Sequence, residues 1–222
     1  MNPAGGLQAV LADMDGTLID SERLWLDVES DVVARLGGTW TEADQRQLVG
    51  GSLAAAAAYM VAKTGTDVPA EEVGRWMLDG MIELLSTHVP LLPGAKELLC
   101  GLHEAGVPVA LVTSSHRALT EPVLDAIGRD LFAVTVVGDE VTHTKPHPEP
   151  YLTAAALLGA DPARCVAIED SPTGLASARA AGCATVAVPG VVPAPPAPRR
   201  TPVTSLREVD LPFLASLVSD GH

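Results

Sequence analysis

Ala9-Val10-Leu11-Ala12-Asp13-Met14-Asp15-Gly16-Thr17 is the stretch on which the fold turns. Four apolar residues, read as a buried strand, run directly into two carboxylates one residue apart. A strand has a side-chain period of two, so Asp13 and Asp15 share a face while the strand lasts. Both acids then emerge at its carboxyl end, where open α/β sheets place their ligands. Gly16 permits the sharp backbone exit that a bulkier residue would hinder. Two like charges this close are unfavourable without a cation or a shared proton. The pair therefore points to a metal, to acid–base chemistry, or to both.

Outward from this strand, the chain divides by rhythm. Apolar, β-branched runs at 107–112, 134–137, 165–168 and 184–188 alternate with helical patterns at 95–105, 118–127, 150–158 and 173–181. Such alternation predicts a parallel sheet with right-handed crossovers. Between the first strand and this series, residues 21–87 read as helix alone. Leu24, Val28, Val32 and Leu36 recur at four-residue spacing until Gly37-Gly38, and further helices are predicted at 41–49, 52–64 and 69–87. The expected architecture is α/β: a Rossmann-like parallel-sheet core with helices on both faces, formed by 1–20 and 88–222, with an inserted four-helix, all-α cap domain at 21–87. A short closing helix is expected at 211–218. The six prolines between 189 and 202 predict an extended, exposed segment and no regular element there.

Composition narrows the functional classes. At 47% hydrophobic and 3% aromatic, the 222 residues hold ample apolar material for an Ala-, Val- and Leu-rich core. The apolar stretch at 53–62 is too short to span a bilayer. The first basic residue is Arg23, so no secretory signal is expected, and Cys100, Cys165 and Cys183 read as reduced thiols of a cytoplasmic protein. A net charge of −14 argues against nucleic acid as a partner. It also means that an anionic substrate could enter only where a metal and local cations reverse the field.

Three further polar clusters follow predicted strands: Thr113-Ser114-Ser115, Lys145-Pro146 and Glu169-Asp170. On parallel strands they would converge with Asp13 and Asp15 at one sheet edge. In this order, with a helical insertion after the first, the motifs Asp13-Met14-Asp15-Gly16-Thr17, Thr113, Lys145-Pro146 and Glu169-Asp170-Ser171-Pro172-Thr173-Gly174 resemble those of the haloacid dehalogenase-like hydrolases. The similarity is greatest to helical-cap sugar- and hexitol-phosphate phosphatases and to β-phosphoglucomutase-like proteins.

The resemblance implies a Mg²⁺-dependent phosphatase acting on a small phosphorylated sugar or polyol through an aspartyl-phosphate; the alternative is a β-phosphoglucomutase-like phosphosugar mutase. It implies Asp13 as nucleophile, Asp15 as acid and base, and Lys145 as the stabilising cation. Thr17, Thr113 and Ser114 would join Lys145 in binding phosphate. Asp13, the Asp15 backbone carbonyl and Asp170 would hold the metal, with Glu169 as a further ligand or an orienting group. Glu22, Trp25 and the loop Gly50-Gly51-Ser52 are the cap residues expected to set specificity. The mutases carry a His where Trp25 stands and an Arg where Leu53 lies, which favours water as acceptor. Lys63, the only Lys of the insertion, sits too deep in a helix for phosphonatase chemistry, and Asp15 argues against dehalogenation. His116, His143 and His147 are expected as loop histidines without a metal, although His116 and Arg117 follow the phosphate loop closely enough to reach substrate. The expected partner is a small phosphorylated metabolite, with neither nucleic acid nor membrane, and the protein is expected to be a monomer.

Overall fold

In the computed structural model, which describes residues 6–48 and 53–218, β1 (Ala9–Ala12) is buried along its length at the centre of a parallel sheet. The other strands among the described residues are β2 (Val109–Val112), β3 (Val134–Val136), β4 (Cys165–Glu169), β5 (Ala184–Ala187) and β6 (Arg200–Pro202). Their order is β3-β2-β1-β4-β5-β6, with Val10 paired to Val109 on one side and to Val166 on the other. The winding direction reverses at β1, because β2 and β4 flank it. Such a switch point opens a crevice beyond the carboxyl ends of the central strands. This is where Asp13 stands, its N–H donating to Ile168 O at 3.0 Å.

The described residues form two compact units, 6–20 with 90–218 and Ser21–Val89, so the division falls at 89 where the sequence placed it at 87. The second unit contains α1 (Ser21–Arg35), α2 (Glu42–Leu48), α3 (Leu53–Thr64) and α4 (Ala70–Thr87). Leu24, Val28 and Val32 on α1 and Val73, Met77 and Met81 on α4 form buried stripes at helical spacing. Gly80 lets α4 approach closely: a Cβ there would meet Val28 Cγ1 at 3.3 Å.

The sheet unit adds α5 (Ala95–Glu104), α6 (Arg117–Ile127), α7 (Glu149–Leu157), α8 (Pro172–Ala180) and α9 (Leu211–Ser216). Ala154 and Ala155 of α7 and Ala178 of α8 pack with Ala9, Leu11, Ala110, Val112 and Ala167 of the sheet. Val10, Ala12, Val109 and Leu111, which alternate with these, are equally buried. Near-continuous apolar strands are what a parallel sheet covered on both faces requires. No described helix is long and apolar enough to cross a membrane.

The proline-rich segment corrects the sequence expectation. Its last residues form β6, paired in parallel with β5 through Thr185–Arg200 and Val186–Thr201. Pro202, the last residue of this edge strand, lacks only a donor the ladder does not need. Just before β6, the exposed Arg199 donates from its guanidinium to Gly182 O and Ala163 O, each at 2.8 Å.

Two buried carboxylates in the helical unit have opposite environments. Asp44 accepts from Thr41 N–H, Thr41 Oγ1, Tyr59 OH and Lys63 Nζ, which hold its carboxyl well below the usual range. Glu29 is 6% exposed and, among the described residues, accepts a single hydrogen bond, from the Trp40 indole N–H at 3.0 Å. Burial pushes its pKa to about 7, the Trp40 bond only partly opposing and Glu22 adding repulsion. The folded state thus binds a proton that the unfolded chain has already released between the ordinary value of 4.5 and about 7. Stability carried by Glu29 is therefore complete below that window and is lost as pH rises through it. In Glu29→Gln, which keeps an acceptor for Trp40, the drop in unfolding free energy between pH 5 and pH 8 should shrink by about 1–3 kcal/mol. Denaturant titrations at both pH values measure this, and an unaltered pH profile would show that Glu29 ionises normally.

Candidate active site

The sheet edge gathers four carboxylates and one ammonium. Lys145, from the loop between β3 and α7, donates to Asp13 Oδ1 at 2.6 Å, Glu169 Oε1 at 2.6 Å and Val112 O at 2.9 Å. All three N–H bonds of the ammonium are satisfied, and its side chain is only 5% exposed. Burial pulls Lys145 down, but Asp13 and Glu169 together outweigh it and hold the ammonium above its ordinary range. Each partner comes from a different strand end: Asp13 from β1, Val112 from β2 and Glu169 from β4.

Glu169 is fully buried and held on both oxygens. Oε1 takes Lys145 and the Tyr151 hydroxyl (2.6 Å), while Oε2 takes Ser171 Oγ at 3.0 Å and, more weakly, Ser171 N–H. Ser171 is also the N-cap of α8, accepting Gly174 N–H at 3.0 Å. No side chain fits at Gly174, because a Cβ there would collide with the Glu169 carboxylate.

Asp15 stands in the loop that follows β1, where its carboxylate meets the residues after β2. The backbone N–H groups of Leu18 and Ile19 bond to Met14 O, and Gly16 takes φ 75°, a left-handed conformation that favours glycine. A Cβ at Gly16 would also collide with the Asp170 carboxylate, so the glycine admits Asp170 to the site. Asp15 Oδ2 accepts Ser115 Oγ at 2.7 Å and Thr113 Oγ1 at 3.3 Å. Thr113 Oγ1 in turn accepts Ser115 N–H at 3.0 Å. Thr17 Oγ1 is buried and has no hydrogen-bond partner among the described residues, and a buried hydroxyl of this kind is suited to a ligand oxygen.

The charge balance is uneven. Burial, then repulsion from Glu169, raises Asp13 well above its ordinary pKa against the opposing pull of Lys145. Burial and Glu169 likewise push Asp170 to about 7. Asp13, Glu169 and Asp170 offer carboxylate oxygens within 4.8 Å of one another. Crowded acids with too few cations are what a hard divalent ion neutralises, and an all-oxygen donor set suits Mg²⁺.

The sequence-derived residues thus divide. At the sheet edge Lys145 bonds to Asp13 and Glu169, Asp170 offers a carboxylate oxygen within 4.8 Å of theirs, and Thr113 bonds to Asp15. Ser114 lies in the same loop with its side chain exposed. Arg117 turns instead to Glu140, Glu121 and Thr135, so it serves the α6 surface. Lys63 is paired with Asp44 at 2.6 Å. In the helical unit Trp25 is half-buried on α1, and the Glu22 carbonyl accepts Gln45 Nε2 at 2.8 Å. Gly50, Gly51 and Ser52 lie outside the described residues.

Two participants carried no assigned role in the sequence. Ser115 stands in the quoted Thr113-Ser114-Ser115 run, but its bond to Asp15 spans 100 positions. Tyr151, in an apolar helical stretch, reads as ordinary core until its hydroxyl is found on Glu169.

A family model for the haloacid dehalogenase-like hydrolases matches residues 7–182. Hexitol phosphatase B of Escherichia coli (strain K12) is 36% identical over 217 residues, covering 95% of this chain and 94% of that protein. Protein CbbY of Rhodobacter capsulatus is 34% identical, covering 82% of this chain and 86% of its own length. The crystal structure of CbbY from Rhodobacter sphaeroides in complex with phosphate is similar at a TM-score of 0.79 and 28% identity, covering 91% of this chain and 96% of that one.

The Tyr151 bond can be tested by itself. Tyr151→Phe keeps the ring and removes one donor from a buried carboxylate, so urea unfolding should show a loss of about 1–3 kcal/mol. A loss under about 0.5 kcal/mol would mean that Lys145 and Ser171 satisfy Glu169 unaided.

Proposed function

The chain belongs to the haloacid dehalogenase-like hydrolases, and on that premise we propose that it is a phosphatase hydrolysing a small phosphomonoester through an aspartyl-phosphate on Asp13. The observation that carries this reading is the buried Asp13–Lys145–Glu169 arrangement at the sheet's switch point, with the nearby Asp15 carboxylate held by Ser115. Similarity to hexitol phosphatase B supports a phosphorylated sugar or polyol as substrate. Free thiols at Cys100 and at the buried Cys165 and Cys183 support a cytoplasmic setting.

In the proposed reaction, Asp13 attacks phosphorus and the bond to the leaving oxygen breaks. Asp15 delivers a proton to that oxygen, and the alcohol departs. Asp15, now a carboxylate, takes a proton from water as the water attacks the phosphoryl group, and inorganic phosphate leaves with Asp13 restored. Lys145 stabilises both the Asp13 carboxylate and charge on the transferring group. The Thr113 hydroxyl and the Ser114 N–H would bind phosphoryl oxygens, and Thr17 lies in the same set. Ser115, the closer of the two donors at 2.7 Å, keeps Asp15 in the orientation its proton transfers need when Thr113 gives its own proton to phosphate. Asp13, the Asp15 carbonyl and Asp170 would hold Mg²⁺, which supplies positive charge that lets two anions approach. Glu169, with both oxygens engaged, serves Lys145 more than the metal. Choice of the leaving group is assigned to the helical unit, with Glu22 and Trp25 as its candidate contacts.

With Mg²⁺ present, a panel of sugar, polyol and nucleotide monophosphates should yield free phosphate, and most readily from a sugar or polyol ester. Accumulation of an isomerised sugar phosphate would indicate a mutase instead. Asp13→Asn should abolish turnover, since an amide is a poor nucleophile, and EDTA should do the same reversibly. Normal hydrolysis by Asp13→Asn would sink the mechanism, and EDTA-insensitive turnover would sink the metal assignment.

A further inference from the structure

A second group of metal-binding side chains lies on the surface of the loop that carries Lys145. His143, His147 and Glu149 each offer a ligand atom, and these atoms lie within 4.8 Å of one another. His143 Nδ1 is 2.8 Å from Glu149 Oε2, and His147 Nδ1 is 3.9 Å from the same oxygen. The two imidazoles stack with centroids 4.5 Å apart and planes tilted by 32°. Both are exposed loop histidines, as the sequence suggests, and they lie side by side. Their four-residue spacing would pair them on a helix, but they lie on a loop, and the turn through Pro146 and Pro148 brings them together.

The carboxylate is already positioned. Glu149, the first residue of α7, accepts Thr142 N–H at 2.7 Å and His143 N–H at 3.0 Å. These bonds fix the carboxylate's orientation and hold its carboxyl below the usual range. Ser177 anchors the other side of the turn by donating to His147 O at 2.5 Å. The segment 142–148 walls an open concavity of about 630 Å³, which leaves room for waters to complete a coordination shell. A chain with net charge −14 also draws cations to its surface.

We propose that His143, His147 and Glu149 form a binding site for a divalent transition metal of the zinc class, separate from the Asp13–Asp170 acids. Two imidazoles and one carboxylate make a borderline nitrogen–oxygen donor set that suits Zn²⁺ and is poor for Mg²⁺. Three protein ligands leave the remaining position to water. Binding replaces the His143–Glu149 contact and fastens the turn from which Lys145 reaches Asp13.

The test is Zn²⁺ titration of the intact, untagged chain against a chromophoric competitor, with excess Mg²⁺ present throughout. One Zn²⁺ per chain should bind, and its affinity should fall by more than about tenfold in His143→Ala and in His147→Ala, since loss of a direct ligand costs at least as much as loss of an outer-shell partner. Asp170→Asn should leave this affinity unchanged, and thermal melting of metal-free His143→Ala should match that of the metal-free parent. The proposal is overturned if no saturable Zn²⁺ uptake occurs in excess Mg²⁺. It is equally overturned if the histidine variants bind as the parent does, or if Asp170→Asn removes the uptake.

Discussion

One buried ammonium ties the sheet edge together. An unpaired charge at the position of Lys145 would be prohibitively costly, and a buried ion pair is tolerated only when every donor and acceptor is matched. Lys145 meets that condition by drawing on the ends of β1, β2 and β4 at once. The same contacts fix the geometry of the site. Asp13 cannot swing away without stranding the ammonium, and Glu169 cannot move without releasing Tyr151 and the Ser171 cap of α8. Catalytic positioning and local stability are therefore one set of bonds.

The surplus of acid around that cation is the second constraint. Asp13, Asp15, Glu169 and Asp170 face a single Lys, and burial raises Asp13 and Asp170 above their ordinary range. The helical unit displays both outcomes away from the site. Four donors keep Asp44 anionic, whereas Glu29, with one neutral donor, is pushed to about 7. A buried carboxylate is settled by its donors, and the donors present near Asp170 leave room for a cation.

Much of this was legible from the chain. Alternating apolar runs and helices identify a parallel α/β sheet because the two periods, 2 and 3.6, are local properties of the backbone. Asp13, Asp15, Thr113 and Asp170 stand out because polar residues follow apolar runs at the strand ends, whereas Lys145, in a polar loop beyond β3, stands out only beside the other motifs of the resemblance. β6 did not stand out, since its proline-rich surroundings suggest an exposed, extended segment; its pairing depends on β5 offering a free edge.

The sequence by itself determined the layered architecture, the order of the polar clusters and their convergence at one edge, since strand direction and alternation follow from residue pattern alone. Tertiary structure decided who holds whom. Ser115 was chosen over its neighbour Ser114 to engage Asp15, Tyr151 was turned from core residue to partner of Glu169, and His143, His147 and Glu149 were gathered by a turn. Such pairings rest on angles and distances of a few tenths of an ångström between segments far apart in the chain. Hydrogen bonds and ion pairs are that sensitive to geometry, whereas hydrophobic periodicity is not.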